Sequence, residues 1–192
     1  MTITYLDVET TFMVGENRRT DPSPFNSNNK LVSVQYSHDN GPIQFNWFYH
    51  KDMDEMASEL TVGESFNLVQ DVLDNTTVLI GHNIKFDLMW LWESGFNYDG
   101  QVYDTMIGEY TLLRGQKWGL SLADSCIRRK VAMKKSDLTH DYLKDGIGFD
   151  AMPMDTVQEY GIADIESTKQ LHLAQEEIFK NSHNSPMRKH LA

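Results

Sequence analysis

The period of the apolar positions changes along the chain. Residues 3–8, ITYLDV, carry β-branched, aromatic and aliphatic side chains in a short run that predicts a strand. LVSVQYS (31–37) and PIQFNWFY (42–49) predict two more, joined through His38-Asp39-Asn40-Gly41; Asn-Gly between apolar runs signals a hairpin. VLIG (78–81) reads as a short buried strand and VYDT (102–105) as another. Helical spacing predicts helices within 51–75, over 84–94, over MIGEYTLL, over SLADSCIRR with Ser121 as N-cap, and from about Met154 to Asn181. Gly95 is placed to end the helix over 84–94 as its C′ residue. Gly15 to Lys30 reads as a long polar loop, 134–153 as irregular, and 182–192 as a frayed tail. Strands first, then strands alternating with helices, predict an α/β fold: a mixed sheet with helices on its faces. The 192 residues suit one domain, 1–192, with its core over about 3–181.

Two acids interrupt the first strand. Asp7 and Glu9 are separated by one residue, so they point to the same face. At roughly 4 Å in a half-buried site, two such charges repel by about 4 kcal/mol. That pairing is costly unless something compensates it. Asp87 stands at the start of the helix after VLIG, and Asp164 lies on the last helix, four residues after Tyr160 and on the same face. Four hard oxygen ligands without histidine or cysteine suit Mg²⁺ or Mn²⁺ rather than zinc.

Charge and cysteine content narrow the picture. A formal net charge of −11 argues against a polyanion partner unless the acids hold cations. Arg114, Lys117, Arg128, Arg129, Lys130, Lys134 and Lys135 concentrate basic charge, either as a solvated helix face or as a phosphate-tracking flank. Cys126 is the single cysteine; a buried thiol and a reducing cytoplasm, bacterial or that of a phage-infected host, are expected. No apolar run approaches the ~18 residues of a membrane span, and no secretory signal is expected at the N-terminus.

Asp7-Val8-Glu9-Thr10, Asn83-Ile84-Lys85-Phe86-Asp87 and Tyr160-Gly161-Ile162-Ala163-Asp164 occur in this order. They resemble the three motifs of the DnaQ-like, or DEDD, family of 3′→5′ exonucleases: Asp-x-Glu, Asn-x-x-(Tyr/Phe)-Asp and Tyr-x-x-x-Asp. The histidine branch of that family has His five residues before the final Asp, where this chain has Glu159. The chain therefore resembles the tyrosine (DEDDy) branch, as in the proofreading domains of family A DNA polymerases.

The resemblance implies a ribonuclease H-like fold, a five-stranded mixed sheet flanked by helices. It implies two divalent cations, Mg²⁺ or Mn²⁺, held by Asp7, Glu9, Asp87 and Asp164, with Asp7 shared between them. Tyr160 is expected to orient the attacking water. Thr10, Phe12 and Met13 are expected to touch the terminal nucleotide, although Phe12 and Met13 would equally pack the loop. Asn83 would either anchor near a phosphate or cap the following helix; His82 and His140 read as ordinary polar residues. The implied substrate is a single-stranded nucleic acid end, DNA favoured over RNA, released as 5′-mononucleotides. The alternatives are an RNA exonuclease, or a proofreading subunit acting in trans with a DNA polymerase.

Overall fold

The structure, a computed structural model, describes residues 1–14, 20–53, 55–131 and 137–183. The first strand, β1 (Ile3–Thr10), lies at the centre of a sheet. Beside it runs β4 (Leu31–His38), antiparallel, and then β5 (Ile43–Trp47), also antiparallel. On its other side β6 (Val78–Gly81) and β7 (Gln101–Asp104) follow in parallel, giving the order β5-β4-β1-β6-β7. The expected five-stranded mixed sheet is therefore present.

The hairpin between β4 and β5 closes as expected, with its turn centred one residue earlier. Asp39 and Asn40 both have positive φ (46° and 62°), and Gly41 N–H donates to His38 O at 2.7 Å. These are the features of a type I′ turn, whose twist matches that of the strands. Within the region read as a loop, Thr20–Asp21 forms β3 and pairs with β2 (Met13–Val14); residues 15–19 lie outside the described ones.

Helices α1 (Glu55–Asp74), α2 (Ile84–Glu93), α3 (Thr105–Leu113), α4 (Leu122–Arg129) and α6 (Met154–His183) stand where periodicity places them. Gly95 (φ 92°) ends α2: its N–H donates to Trp92 O at 3.0 Å, and Phe96 N–H to Leu91 O at 3.0 Å, a Schellman closure. Ser121 caps α4, accepting from Asp124 N–H at 3.1 Å. One helix departs from expectation: α5 (Asp137–Lys144) occupies part of the stretch read as irregular. It spans only about two turns, too short for an apolar period to stand out, and it buries Thr139 rather than a large side chain.

The two faces of β1 have different partners. Leu6 and Val8 pack with Val69 and Leu73 of α1 and with Leu88 and Leu91 of α2. Tyr5 points the other way, to Ile165 of α6 and to Val78 and Ile80. Because side chains alternate along a strand, Asp7 and Glu9 follow Tyr5 onto the α6 face. Cys126 is fully buried between α4 and α6 with Leu122 and Leu171, as expected of the lone thiol. No described helix is long and apolar enough to cross a membrane.

Candidate active site

The alternation of β1 and the position of Asp164 on α6 bring three carboxylates together. Asp7, Glu9 and Asp164 each offer an oxygen, and these oxygens lie within 4.8 Å of one another. Glu9 and Asp164 are buried; Asp7 is half-buried and, with Asp164 and Asn83, lines a cavity of about 400 Å³. Asp87 reaches the same strand from α2, on the opposite face of the sheet. It is 3% exposed, and its Oδ1 accepts from the N–H of Val8, the residue between Asp7 and Glu9, at 3.0 Å.

Tyr160 lies one helical turn before Asp164, is buried, and hydrogen-bonds to the Asp164 carboxylate. The ring of Phe149 tilts against it at 5.5 Å between centroids. Burial, then the charges of Asp164, Glu9 and Asp7, push the phenol far above its ordinary pKa. At neutral pH it is therefore a hydrogen-bond donor and never a base.

A strand that the motifs do not mention supplies a further group. β4 pairs with β1 so that Gln35 stands opposite Asp7 and Ser33 opposite Glu9. The Gln35 amide donates to Asp7 Oδ2 at 2.7 Å and to Glu9 Oε1 at 3.4 Å, while its carbonyl accepts from Ser33 Oγ at 3.1 Å. Gln35 is fully buried. The sequence holds one signal of it: Ser33, Gln35 and Ser37 form a polar stripe of period two inside an apolar strand.

The 3′-5′ exonuclease family model (DNA_pol_A_exo1) matches residues 20–177. The chain belongs to the 3′-5′ exonuclease family. The matched segment contains the Asn83–Asp87 and Tyr160–Asp164 motifs; Asp7 and Glu9 precede it, and the fold brings them to the same place. Brucella melitensis NrnC bound to pGG superposes with a TM-score of 0.60 at 20% identity, over 94% of this chain and 74% of that one. The same protein with bound Mg²⁺ gives 0.59 at 22%, over 96% and 77%. A family B DNA polymerase from the hyperthermophilic archaeon Pyrobaculum calidifontis gives 0.56 at 15%, over 88% and 24%. At such identities the likeness establishes the fold, which is ribonuclease H-like. No curated protein matches the chain.

In this exonuclease the donor set fits a divalent cation. Three carboxylates whose oxygens lie within 4.8 Å of one another, with no thiolate or imidazole among them, are costly without positive charge beside them. In their own company the acids are strained electrostatically: burial, then the charge of Asp7, raises the Asp87 pKa well above the usual carboxylate range.

The remaining expected contacts are distributed around this cluster. Thr10 is buried at the end of β1, where the register with β4 shifts and leaves Val32 as an extra residue. Phe12 is half-buried and lines a second cavity; Met13 lies in β2, and its side chain is outside what is described. Asn83 does not cap α2 with its side chain. It adopts a left-handed conformation (φ 62°), its N–H donates to Asp104 Oδ1 at 3.0 Å, and the residue lines the catalytic cavity. His82 lines the same cavity: Nε2–H donates to Leu120 O at 2.8 Å and Nδ1 meets Thr105 Oγ1 at 2.9 Å. His140 is exposed on α5.

Two residues of the basic flank turn inward, while Arg114, Lys117 and Lys130 stay exposed. Arg128 Nη1 lies 2.6 Å from Glu109 Oε1, and Arg129 Nε 2.9 Å from Glu109 Oε2. Gln175 Nε2 donates to the same carboxylate at 3.2 Å. Glu109 is completely buried, so these two arginines pin α4 to α3 and α6 instead of facing a substrate. Lys134 and Lys135 lie outside the described residues.

Proposed function

We propose that this exonuclease removes nucleotides from the 3′ end of single-stranded DNA and releases 5′-monophosphates, in DNA replication or repair, acting as a single domain. The observation that carries the reading is the cluster of Asp7, Glu9 and Asp164 with the Tyr160 hydroxyl bonded to its edge. Asp7, Glu9 and Asp164, with Asp87 beside them, would hold two divalent cations, Mg²⁺ or Mn²⁺. When bound, these supply activation of the attacking water and charge for the leaving 3′ oxygen.

The chain's own residues do the rest. Tyr160 keeps its proton, directed at the Asp164 carboxylate, so its phenol oxygen would accept from the attacking water and orient it without deprotonating it. Gln35 holds Asp7 and Glu9 at a fixed separation. Asn83, which lines the same cavity as Asp7, would donate its amide to a phosphate oxygen. Thr10, Phe12 and Met13 follow the acids along the chain and would meet the terminal sugar and base.

DNA is favoured by the likeness of GHNIKFDL to polymerase editing domains. A second reading, short RNA, is favoured by the shared fold with a protein solved with pGG. A proofreading subunit acting in trans with a DNA polymerase would use the same site.

The test is to incubate labelled single strands of DNA and of RNA with Mg²⁺ or Mn²⁺. Stepwise shortening from the 3′ end, abolished by chelator, is the expected result, with DNA the faster substrate. Asp7→Ala should remove activity and Tyr160→Phe should leave a measurable remainder. A wild-type protein that cuts neither polymer would refute the reading; faster cutting of RNA would transfer it to the second.

A further inference from the structure

The catalytic acids repel the polyanion they are proposed to cut, and the arginines of α4 are spent on Glu109. Two lysines outside α4 line a cavity beside β1. This cavity of about 250 Å³ is lined by Phe12, Lys30, Tyr49, Lys51 and Asp150, among others. Phe12 is two residues beyond the end of β1, so this cavity adjoins the strand that carries Asp7 and Glu9.

Both lysines are fixed at its walls through their backbones. Lys30 N–H donates to Thr11 Oγ1 at 2.6 Å, and Lys30 O accepts from Thr11 N–H at 2.9 Å. Lys51 N–H donates to Asp150 O at 2.9 Å. Their ammonium groups remain accessible. Lys30 Nζ sits 4.4 Å over the Tyr49 ring, and Lys51 Nζ pairs with Asp150 at 3.3 Å while its side chain stays 60% exposed. An exposed pair of this kind adds little to the fold. The volume is below the ~300 Å³ at which whole-ligand pockets begin, and it suits one base with its phosphate.

We infer that this cavity is a second nucleic-acid subsite, taking the phosphate and base of the nucleotide immediately 5′ to the one released. Lys30 and Lys51 bind the phosphate; Tyr49 offers its ring to the base, next to the terminal base that Phe12 meets. Asp150 holds Lys51 and does not touch the ligand. The assignment rests on the exonuclease reading above and deepens it.

The test uses the doubly substituted protein, Lys30→Ala with Lys51→Ala. Binding of a fluorescein-labelled thymidylate 12-mer is followed by anisotropy in Ca²⁺ at several salt concentrations. Kd should rise about tenfold, and the slope of log Kd against log salt should shrink by about 0.7, the value for one neutralised phosphate on a single strand. Tyr49→Ala should weaken binding without changing that slope. In Mn²⁺, KM for the 12-mer should rise far more than KM for the p-nitrophenyl ester of thymidine 5′-monophosphate, which has no upstream nucleotide. Unchanged Kd and slope, or equal losses on both substrates, would overturn the subsite. The binding arm needs no cleavage. Lysine-dependent binding without cutting supports the subsite and removes the exonuclease; cutting with lysine-independent binding removes the subsite alone.

Discussion

Gln35 and Asp7 face each other across two central strands, and the Gln35 amide donates to Asp7 Oδ2 at 2.7 Å. The second proton of the same amide points toward Glu9 Oε1 at 3.4 Å. A single buried neutral group thus spans the two carboxylates that the chain could least afford to leave side by side. Groups that orient metal-binding carboxylates commonly change metal affinity or activity by about 10–100-fold when lost. Gln35→Leu should lower kcat/KM by at least tenfold in a Mn²⁺ titration, with the midpoint displaced to higher metal. A variant with wild-type activity and midpoint would show that the amide merely fills space.

Gly161 makes room for that amide. A Cβ there would lie 2.8 Å from Gln35 Cδ, 2.9 Å from its Nε2 and 3.0 Å from Phe45 Cε2. Gly161 is within α6, where alanine is intrinsically favoured by about 1 kcal/mol. Gly161→Ala should therefore reduce activity severalfold although it improves helix propensity. Kinetics and thermal unfolding measured together decide this: full activity with a raised Tm would mean that Gln35 yields without consequence.

Asp87 gives a pH dependence of definite sign. Burial, then the charge of Asp7, raises its carboxyl well above the unfolded value of 3.8. A carboxyl raised by folding favours the fold while protonated, and that contribution is lost as pH rises through the raised value. In EDTA, Tm of the wild type should fall with rising pH relative to Asp87→Asn, whose amide oxygen still accepts from Val8 N–H. Adding Mg²⁺ should reverse the order, because bound cation stabilises the wild type. Parallel Tm curves in EDTA would remove the electrostatic account.

Glu109 carries the opposite sign. Burial alone would raise its carboxyl, but hydrogen bonds from Arg129, Arg128 and Gln175 outweigh burial and hold it below the ordinary 4.5. Its stabilisation is present above that value and is lost as pH falls through the depressed one. Glu109→Gln strands two partly buried arginines and should cost about 3–5 kcal/mol in urea unfolding at pH 7. The deficit should narrow as pH falls from 4.5 through the depressed value and the wild-type carboxyl protonates. A loss under 1 kcal/mol at pH 7 would count against the cluster as the clasp of α3, α4 and α6.

The sequence by itself determined the elements that carry chemistry. The two-residue period put Asp7 and Glu9 on one face of a strand. The turn of a helix put Tyr160 and Asp164 on one face of α6. Motif order then pointed to the family. Those properties are local, set by backbone periodicity within a few residues. What only the tertiary structure decided depends on register and on which layers meet. It set Gln35 opposite Asp7, brought Asp87 to the Val8 peptide from the far face of the sheet, and turned Arg128 and Arg129 inward to Glu109. It also gathered Lys30 and Lys51 at one cavity. Strand register and helix docking follow from the burial of the whole core, so groups remote in sequence become neighbours only after that core has formed.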